Sequence, residues 1–571
     1  MRRGLFITAA LWAFPASAYA FCGFYVGGAD SELYNDATMV VMMRDGTRTV
    51  LSMQNDYQGP PEGFALVVPV PEVLSEANVR TLPKSVFERV DQLAAPRLVE
   101  YWEQDPCFQP RYGRGTGSLR SRALPSSAPP RERDEATGVT VEAEFAVGEY
   151  DIVILSADES SGLETWLQQN DYNMPDGSGQ ALDPYVQLGT KFFVAKVDPE
   201  RVTFERGRAL LSPLRVHYDA ETFALPIRLG LLNARGPQDL LVHILAKGAR
   251  YEVANYPNVF IPTNLIVKDQ TKRRFGDFYR GLFDQVRSAN EGAVVTEYAW
   301  QANNCDPCPT QPLQPGEIAL LGGDVIDGMA VQGQGQIAPN RRRRPSPGFG
   351  GSGGWTLTRL HHRYDSGDLD HDLVFRRAEA VVGGRGMPNP QGQLEGQHPI
   401  RESSVNQFQG RYVMLHRWTG AVRCDSPVRG RWGGPPGQGG VRGRTPPPAS
   451  APSPIREPRP RRARPLDPRR FVTRADHQYL SIEATPAADA ELDYAADPPE
   501  AEAEPQPEPP EAEEEPEAAE PEPAEPEPQP APNAVPVTED GGCASCATNG
   551  RGAAGALLLL AALGLTLRRK R

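Results

Sequence analysis

Alternating apolar and polar positions between residues 21 and about 425 predict a domain rich in β-strands. Two such runs, 38–43 and 48–53, flank Asp45-Gly46. This dipeptide is typical of a tight hairpin because glycine accepts the positive φ that the turn requires. Further strands are predicted over residues 64–70, 139–145, 150–155, 191–197, 214–218, 223–232, 240–246, 293–300, 373–377 and 411–418.

Helical spacing of apolar residues is rarer. It predicts a helix over 83–103, which Pro96 should kink or split, and an amphipathic helix over 275–286. Ser161 and Glu164 have the spacing of a capping box and predict the start of a short third helix. The expected class is therefore α+β, a β-rich mixed domain with a few helices.

Proline, glycine and arginine interrupt this pattern and mark segments without a core. Two loops are predicted within the domain, 109–137 and 332–354, and a Pro/Arg-rich linker follows it over 426–496. Residues 497–540 are Pro/Glu-rich, and such composition cannot bury enough apolar surface to offset the entropy of ordering. We expect this segment to be a disordered stalk.

The charged residues are also unevenly distributed between the domain and the segments that follow it. The chain of 571 residues has a formal net charge of −13, yet residues 501–530 alone hold twelve Glu and no Lys or Arg. The negative charge therefore reflects the stalk more than the domain. Residues 429–470 contain eleven Arg but lack the interleaved aromatic residues of single-strand nucleic-acid binders, so a nucleic-acid partner is not expected.

The N-terminus has the pattern of a secretory signal over residues 1–20. Arg2-Arg3 precedes an apolar run, and Ala18-Tyr19-Ala20 provides a small-x-small cleavage site. Cleavage after Ala20 would release an exported chain.

The C-terminus, residues 541–571, has the pattern of a membrane anchor. Residues 553–567 carry no charge and are followed by four cations, Arg568-Arg569-Lys570-Arg571. This pattern predicts a transmembrane helix whose basic end stays in the cytoplasm, with the domain outside.

Cys543 and Cys546 precede this apolar run. The order of cysteine, apolar helix and arginine cluster resembles the MYXO-CTERM sorting signal of myxobacterial surface proteins. The resemblance implies that a sorting protease cuts near one of the two cysteines, which is then lipidated at the outer surface. A plain transmembrane anchor is the alternative.

Five sequence motifs in the domain are distinctive. They are FCGFYV at 21–26, MRDGTRTVLSMQN at 43–55, GFALVVPVP at 63–71, GLETWL at 162–167 and CDPCP at 305–309. Together they resemble the bacterial domain-of-unknown-function family DUF2330 over residues 21–425. The resemblance implies one kind of secreted domain and supplies no catalytic residues.

Outside the tail there are five cysteines, and in an exported chain they are disulfide candidates. They are Cys22, Cys107, Cys305, Cys308 and Cys424. Because their number is odd, one thiol stays free or bonds to another molecule, and the sequence does not determine which cysteines pair. The Cys305-x-x-Cys308 motif could form a structural disulfide or a thioredoxin-like redox pair.

A candidate metal site lies further along the chain. It consists of His361, His362, Asp368, Asp370 and His371. Imidazoles and carboxylates can bind Zn²⁺ or Ca²⁺, but adjacent histidines on a strand point to opposite faces. A solvated turn before the strand at 373 is the alternative interpretation.

No linear motif for a nucleophile or a cofactor occurs, and His217, His243 and His416 each stand alone in a strand-like run. The sequence thus favours a non-enzymatic role without a cofactor. We expect an exported, cell-surface-anchored binding or structural module of the envelope, with an envelope or extracellular ligand. The alternatives are a secreted enzyme whose site is assembled from distant residues, or a CxxC redox protein.

Overall fold

The computed structural model describes residues 24–26, 35–54, 65–107, 139–170, 177–205, 208–331, 354–365, 369, 371–435, 448–454 and 466–487. They form a strand-rich α+β domain, which confirms the predicted class. No helix within these ranges is long and apolar enough to cross a membrane. The predicted signal sequence with Ala20, Cys22, and the tail with Cys543 and Cys546 lie outside the described residues.

The strands of the largest sheet are β2 (Asn35–Asp45), β3 (Arg48–Gln54), β5 (Val79–Thr81), β12 (Leu214–Asp219), β14 (Ala234–Lys247), β16 (Asn258–Phe260), β18 (Val294–Gln301), β19 (Trp355–Tyr364), β21 (Val382–Gly383) and β22 (Gln407–Gln409). Their order in the sheet is β21-β22-β18-β19-β14-β2-β3-β12-β5, with β16 paired to β18. The predicted hairpin is confirmed, since β2 pairs antiparallel with β3 around Gly46 at φ 56°.

A second sheet consists of β1 (Phe24–Val26), β4 (Ala65–Val70), β7 (Val139–Val147), β8 (Tyr150–Ala157) and β9 (Lys191–Val197). It is antiparallel throughout, with the order β1-β4-β9-β8-β7. Val40 and Met42 of β2 share one core with Leu66 and Val68 of β4. The two sheets therefore pack face to face.

A third sheet joins β6 (Arg97–Glu103), β17 (Leu265–Ile266), β23 (Arg411–His416), β24 (Trp432–Gly433) and β25 (Ala449–Ser450). Smaller pairings use β10 (Thr203–Glu205), β11 (Arg208–Leu210), β13 (Ala224–Leu225), β15 (Arg250–Val253) and β20 (Leu373–Ala378). The helices are α1 (Lys84–Ala94), α2 (Ser160–Gln169), α3 (Ser178–Gln187), α4 (Phe275–Ala289), α5 (Pro315–Ile318) and α6 (Asp324–Asp327).

The large sheet is buried on both faces. Successive side chains of a strand point to opposite faces, and Met39, Val41 and Met43 of β2 face a core that contains Val86 and Val90 of α1. Helix α4 packs through Phe278 and Leu282 into a further core. This double burial explains why β2 is nearly continuous in apolar residues.

Three predicted elements are wrong in part. The helix predicted over 83–103 ends at Ala94, because Pro96 holds Ala95 in extended backbone (ψ 143°), and the chain continues as β6. The strand predicted over 223–232 is limited to β13 and is followed by a 3₁₀-helix at Arg228–Asn233. Pro226 cannot donate to a strand ladder. Helix α2 begins after Glu159 without the predicted capping box.

Packed residues continue beyond residue 425, where the Pro/Arg-rich linker was expected. Phe471, Val472 and Leu480 are buried in the same core as Phe278 of α4. All described residues belong to one compact unit.

This extension of the core can be tested at Gly281 of α4. A Cβ at this position would overlap the backbone carbonyl of Leu466. We therefore expect Gly281→Ala to lower the free energy of unfolding by about 1–3 kcal/mol, although alanine has the higher helix propensity. Denaturant unfolding measures this, and the control is Ser288→Ala on the exposed face of α4, with an expected change within about 0.5 kcal/mol. Equal stability of the Gly281 variant and the wild type would contradict this packing.

Candidate functional site

Seven buried or partly buried ionisable side chains meet on the face of the large sheet that carries α1 and α4. We call them the charge cluster: Asp91, Asp239, Asp284, Glu297, Arg359, His361 and Arg363. Arg359, His361 and Arg363 alternate along β19 and therefore share one face. The register places Asp239 of β14 opposite Arg363.

Glu297 reaches this face through a β-bulge. Thr296 pairs with Leu360 and Tyr298 pairs with Arg359, so Glu297 between them has no partner across the ladder. A bulge of this kind redirects a side chain. Here it directs the Glu297 carboxylate to the positive groups of β19.

Opposite charges alternate through the cluster. His361 lies between two carboxylates, with Nδ1 at 2.8 Å from Glu297 Oε1 and Nε2 at 2.9 Å from Asp239 Oδ1. Arg359 donates to Glu297 at 2.6 Å and to Asp91 at 2.7 Å. The cluster continues through Arg363, which donates to Asp239 at 2.8 Å and to Asp284 at 2.6 Å. The hydroxyl of Tyr279 donates to Glu297.

These contacts determine the protonation states. Burial opposes the charge on Glu297, but His361 and Arg359 outweigh it and lower the pKa of Glu297 to about 2. Burial would lower the pKa of His361, but Glu297 and Asp239 raise it above its ordinary value. Burial and Arg359 lower the pKa of His243. His361 is thus the charged imidazole of the site.

Little space remains around these groups. The cavity has a volume of about 30 Å³, which is room for about one water molecule. Ala451, Pro452, Pro454 and Pro96 line it together with the charged groups. A general base needs a pKa near the working pH, whereas the pKa of Glu297 is held far below neutral pH. The arrangement stabilises charge inside the fold and has no room for a substrate.

The described residues of the predicted metal site, His361, His362 and His371, are not brought together. His361 belongs to the charge cluster, whereas His362 points to the opposite face of β19 and packs on Tyr364 at 5.2 Å between ring centroids. His371 is exposed, and Asp368 and Asp370 lie outside the described residues. Among the described residues no group of three His, Cys, Asp or Glu side chains is arranged to hold a metal ion.

The alternative prediction was a solvated turn before the strand at 373. Residues 361–364 form the buried end of β19, whereas residues 366–368 and 370 lie outside the described residues. The polarity of residues 361–364 suggested exposure to solvent, but carboxylates distant in sequence pair with His361 and Arg363 inside the fold. Two of the histidines that stand alone in strand-like runs lie beside polar groups. His217 Nε2 lies 3.3 Å from Asn78 Nδ2, and His243 Nε2 lies 3.3 Å from a guanidinium nitrogen of Arg359.

Cys305 and Cys308 form a disulfide. Cys305 is buried and Cys308 is exposed. The loop between them is held from outside, since Arg97 donates to the carbonyl of Pro307 at 3.1 Å. Helix α5 begins only at Pro315, so the helix N-terminus that lowers the thiol pKa in thioredoxin-type sites does not adjoin this pair. These features favour a structural role.

The third sheet borders an open groove of about 890 Å³. We call it the aromatic groove, with Trp102, His416 and Trp418 as its rings. β6 and β23 are parallel, and the register places His416 beside Trp102. Their rings stack at 4.5 Å between centroids with planes 17° apart.

Ion pairs and a disulfide hold the walls of the groove. Glu100, two residues before Trp102, accepts from His416 at 2.9 Å and from Lys272 at 2.7 Å. Glu103 accepts from the Trp418 amide at 3.0 Å. Beyond the strand end, Cys107 bonds to Cys424. The disulfide thereby links β6 to the loop that carries Trp418.

The aromatic groove differs from the charge cluster in what it offers a ligand. Trp102, His416 and Trp418 are half-buried and Arg417 is exposed. Its volume lies in the range of small-molecule sites, which combine apolar or aromatic walls with a few polar groups.

The family model that matches residues 15–376 is described as an uncharacterized protein conserved in bacteria (DUF2330). No curated protein and no solved structure matches the chain. The charge cluster lies wholly within the matched residues. In the aromatic groove, Trp102 belongs to the matched residues, whereas His416 and Trp418 follow them in the sequence.

The charge cluster predicts a specific pH dependence of stability. The pKa of His361 is raised on folding, so its contribution is complete below about pH 6.5 and is lost as the pH rises through the folded-state pKa. The pKa of Glu297 is lowered, so its contribution is lost as the pH falls from about 4.5 towards 2. We expect His361→Gln to lower the free energy of unfolding by about 3–5 kcal/mol near pH 6. We also expect the free energy of unfolding of this variant to decrease less than that of the wild type as the pH rises above 6.

Denaturant unfolding between about pH 4 and pH 9 measures this dependence. The matched control is His371→Gln, which changes an exposed histidine and should retain the wild-type profile. If the His361 variant kept the wild-type loss of stability above neutral pH, the assignment of the charged imidazole would be wrong.

Proposed function

The chain belongs to the DUF2330 family of bacterial proteins, and we propose that it is an exported binding module of the cell envelope. The sequence supports export through the signal pattern ending at Ala20, and anchoring through the apolar run 553–567 with its basic end. The ligand site is the aromatic groove. The observation that carries this proposal is the half-buried stack of Trp102 on His416 beside a large open groove.

A saccharide of the envelope or of its surroundings fits this groove best. Indole faces carry negative electrostatic potential, and the C–H-rich faces of sugar rings pack against such surfaces. Arg417 and Asp269 at the groove can exchange hydrogen bonds with hydroxyl groups. Glu103 and the disulfide from Cys107 support the walls, which reduces the entropy lost on binding.

The alternatives have less support. An enzyme needs titratable groups that a substrate can reach, and the groups of the charge cluster are paired with one another beneath Pro452. A redox role would use Cys305 and Cys308, but the first thiol is the buried one and no helix begins beside it.

Substitution of Trp102 tests the groove. We expect Trp102→Ala to weaken binding of envelope polysaccharide by at least about tenfold, because aromatic anchors at the centre of a site commonly contribute about 2 kcal/mol or more. Isothermal titration of the purified protein with polysaccharide from its own host measures the affinity. The matched control is Trp166→Ala on α2, a half-buried tryptophan in another part of the domain.

Denaturant unfolding of both variants separates loss of binding from loss of fold, and Arg417→Gln offers a second, exposed position in the groove. Unchanged affinity in both groove variants, or an equal loss in the Trp166 variant, would refute the assignment of the groove.

A further inference from the structure

Five exposed cations form a basic patch beside the third sheet. They are Lys268, Arg273, Arg469, Arg470 and Arg474. Lys268 Nζ donates to the carbonyls of Arg469 and Arg470 at 3.2 and 3.1 Å, which joins the two segments of the patch. Two exposed carboxylates, Asp269 and Asp467, lie among these cations in sequence, so the patch carries a net positive charge.

The cations of the basic patch differ from those next to them. Neighbouring Lys272 is paired with Glu100 at 2.7 Å, and Arg274 with Asp277 at 2.8 Å. Among the residues that the structure describes, no carboxylate forms an ion pair with a cation of the patch. A positive surface of this kind attracts an anionic partner.

The basic patch is continuous with the aromatic groove. Ile266 lines the groove, and its carbonyl accepts from the Thr473 amide at 2.9 Å, one residue before Arg474. The Lys268 amide donates to the Phe471 carbonyl at 2.8 Å. These backbone hydrogen bonds fix both segments of the patch at the edge of the groove.

Side-chain contacts connect the two surfaces as well. Glu100 accepts from Lys272 at 2.7 Å and from His416 at 2.9 Å. The same His416 stacks on Trp102 inside the groove. The aromatic stack and a cation next to the patch therefore share one carboxylate.

The groove and the patch favour different parts of a ligand. Two carboxylates and one guanidinium line the groove, from Glu103, Asp269 and Arg417, so it offers an anionic group no excess of positive charge. Its rings suit the neutral, C–H-rich faces of sugars. The excess of positive charge lies beside the groove, on the basic patch.

We propose that the ligand of this domain is an acidic polysaccharide. Its sugar rings stack in the aromatic groove, and its anionic groups, uronate carboxylates or phosphates, bind the basic patch. This inference rests on the saccharide site proposed above and specifies the class of saccharide. Exposed ion pairs are individually weak, but binding of the same polysaccharide in the groove raises the local concentration of its anionic groups at the patch.

An anionic membrane is the less favoured partner. Proteins that lie on a lipid surface commonly combine cations with exposed apolar side chains that enter the bilayer. In the described part of the chain, the exposed large apolar side chains include none from residues 266–274 or 466–474. The continuity of the patch with a groove also favours a ligand that fills the groove.

Isothermal titration with two forms of one polysaccharide tests the proposal on the full chain. The first form is the acidic envelope polysaccharide of the host, isolated by anion exchange. The second is the same material after reduction of its carboxyl groups and removal of its phosphates. We expect the acidic form to bind at least about tenfold more tightly at about 0.05 M NaCl. This preference should disappear at 1 M NaCl, where the screening length is about 3 Å. Performing the two treatments separately distinguishes uronate from phosphate.

Charge-neutralising variants locate the anionic contacts. Arg470→Gln with Arg474→Gln should weaken binding of the acidic form at least about threefold, because it removes two ion pairs, and should leave binding of the neutralised form unchanged. The matched control, Arg80→Gln with Lys196→Gln, removes the same charge from exposed positions on β5 and β9. This control should retain the wild-type affinity for both forms.

The outcomes separate this inference from the saccharide site itself. If Trp102→Ala weakens binding of both forms but the wild type binds them equally, the site stands and the inference fails. If Trp102→Ala binds both forms like the wild type, the site fails and the inference with it. An equal loss in the Arg80 and Lys196 control would show that overall charge, and not the patch, is responsible, which overturns the inference. Patch-dependent binding to phosphatidylglycerol vesicles, without patch-dependent binding of the polysaccharide, would also overturn it and assign the patch to a membrane surface.

Discussion

The buried ion pairs around Glu297 and His361 are the interaction on which the rest of this domain depends. They lie where β14, β18 and β19 adjoin, and each charge is compensated only while its partners stay in place. Removal of one partner from such a network typically costs about 3–5 kcal/mol. Because Asp91 belongs to α1 and Asp284 to α4, the same network also holds both helices on the large sheet.

Because the members of the charge cluster pair with one another, the groups that stabilise the fold differ from those that we propose bind a ligand. Groups that are paired with one another around a cavity of about 30 Å³ leave little room for a ligand. The third sheet, in contrast, presents Trp102 and His416 at an open groove and uses Glu103 and the Cys107–Cys424 disulfide as support. Function is therefore proposed at the groove, away from the most perturbed ionisable groups.

Local patterns predicted the elements that local forces determine. The hairpin at Gly46 and helix α4 follow from turn chemistry and helical spacing. Strand β19 was missed because its buried polar residues find partners 62 to 268 positions away, beyond any sequence window. The groove was missed for the same reason, since Trp102 meets His416 only in the folded sheet. The pairing of Cys107 with Cys424, separated by 317 residues, was equally beyond sequence reasoning.

We propose that this domain works outside the cell on a membrane tether. The intact mass of the native protein from its host's membrane fraction tests this claim most directly. We predict a chain that begins at Phe21 and ends at Cys543 or Cys546 with added acyl chains. A chain from Phe21 to Arg571 in the same fraction would indicate the plain transmembrane anchor. Recovery from the soluble cytosolic fraction with both ends uncut would contradict the claim, because no envelope ligand could then reach the aromatic groove.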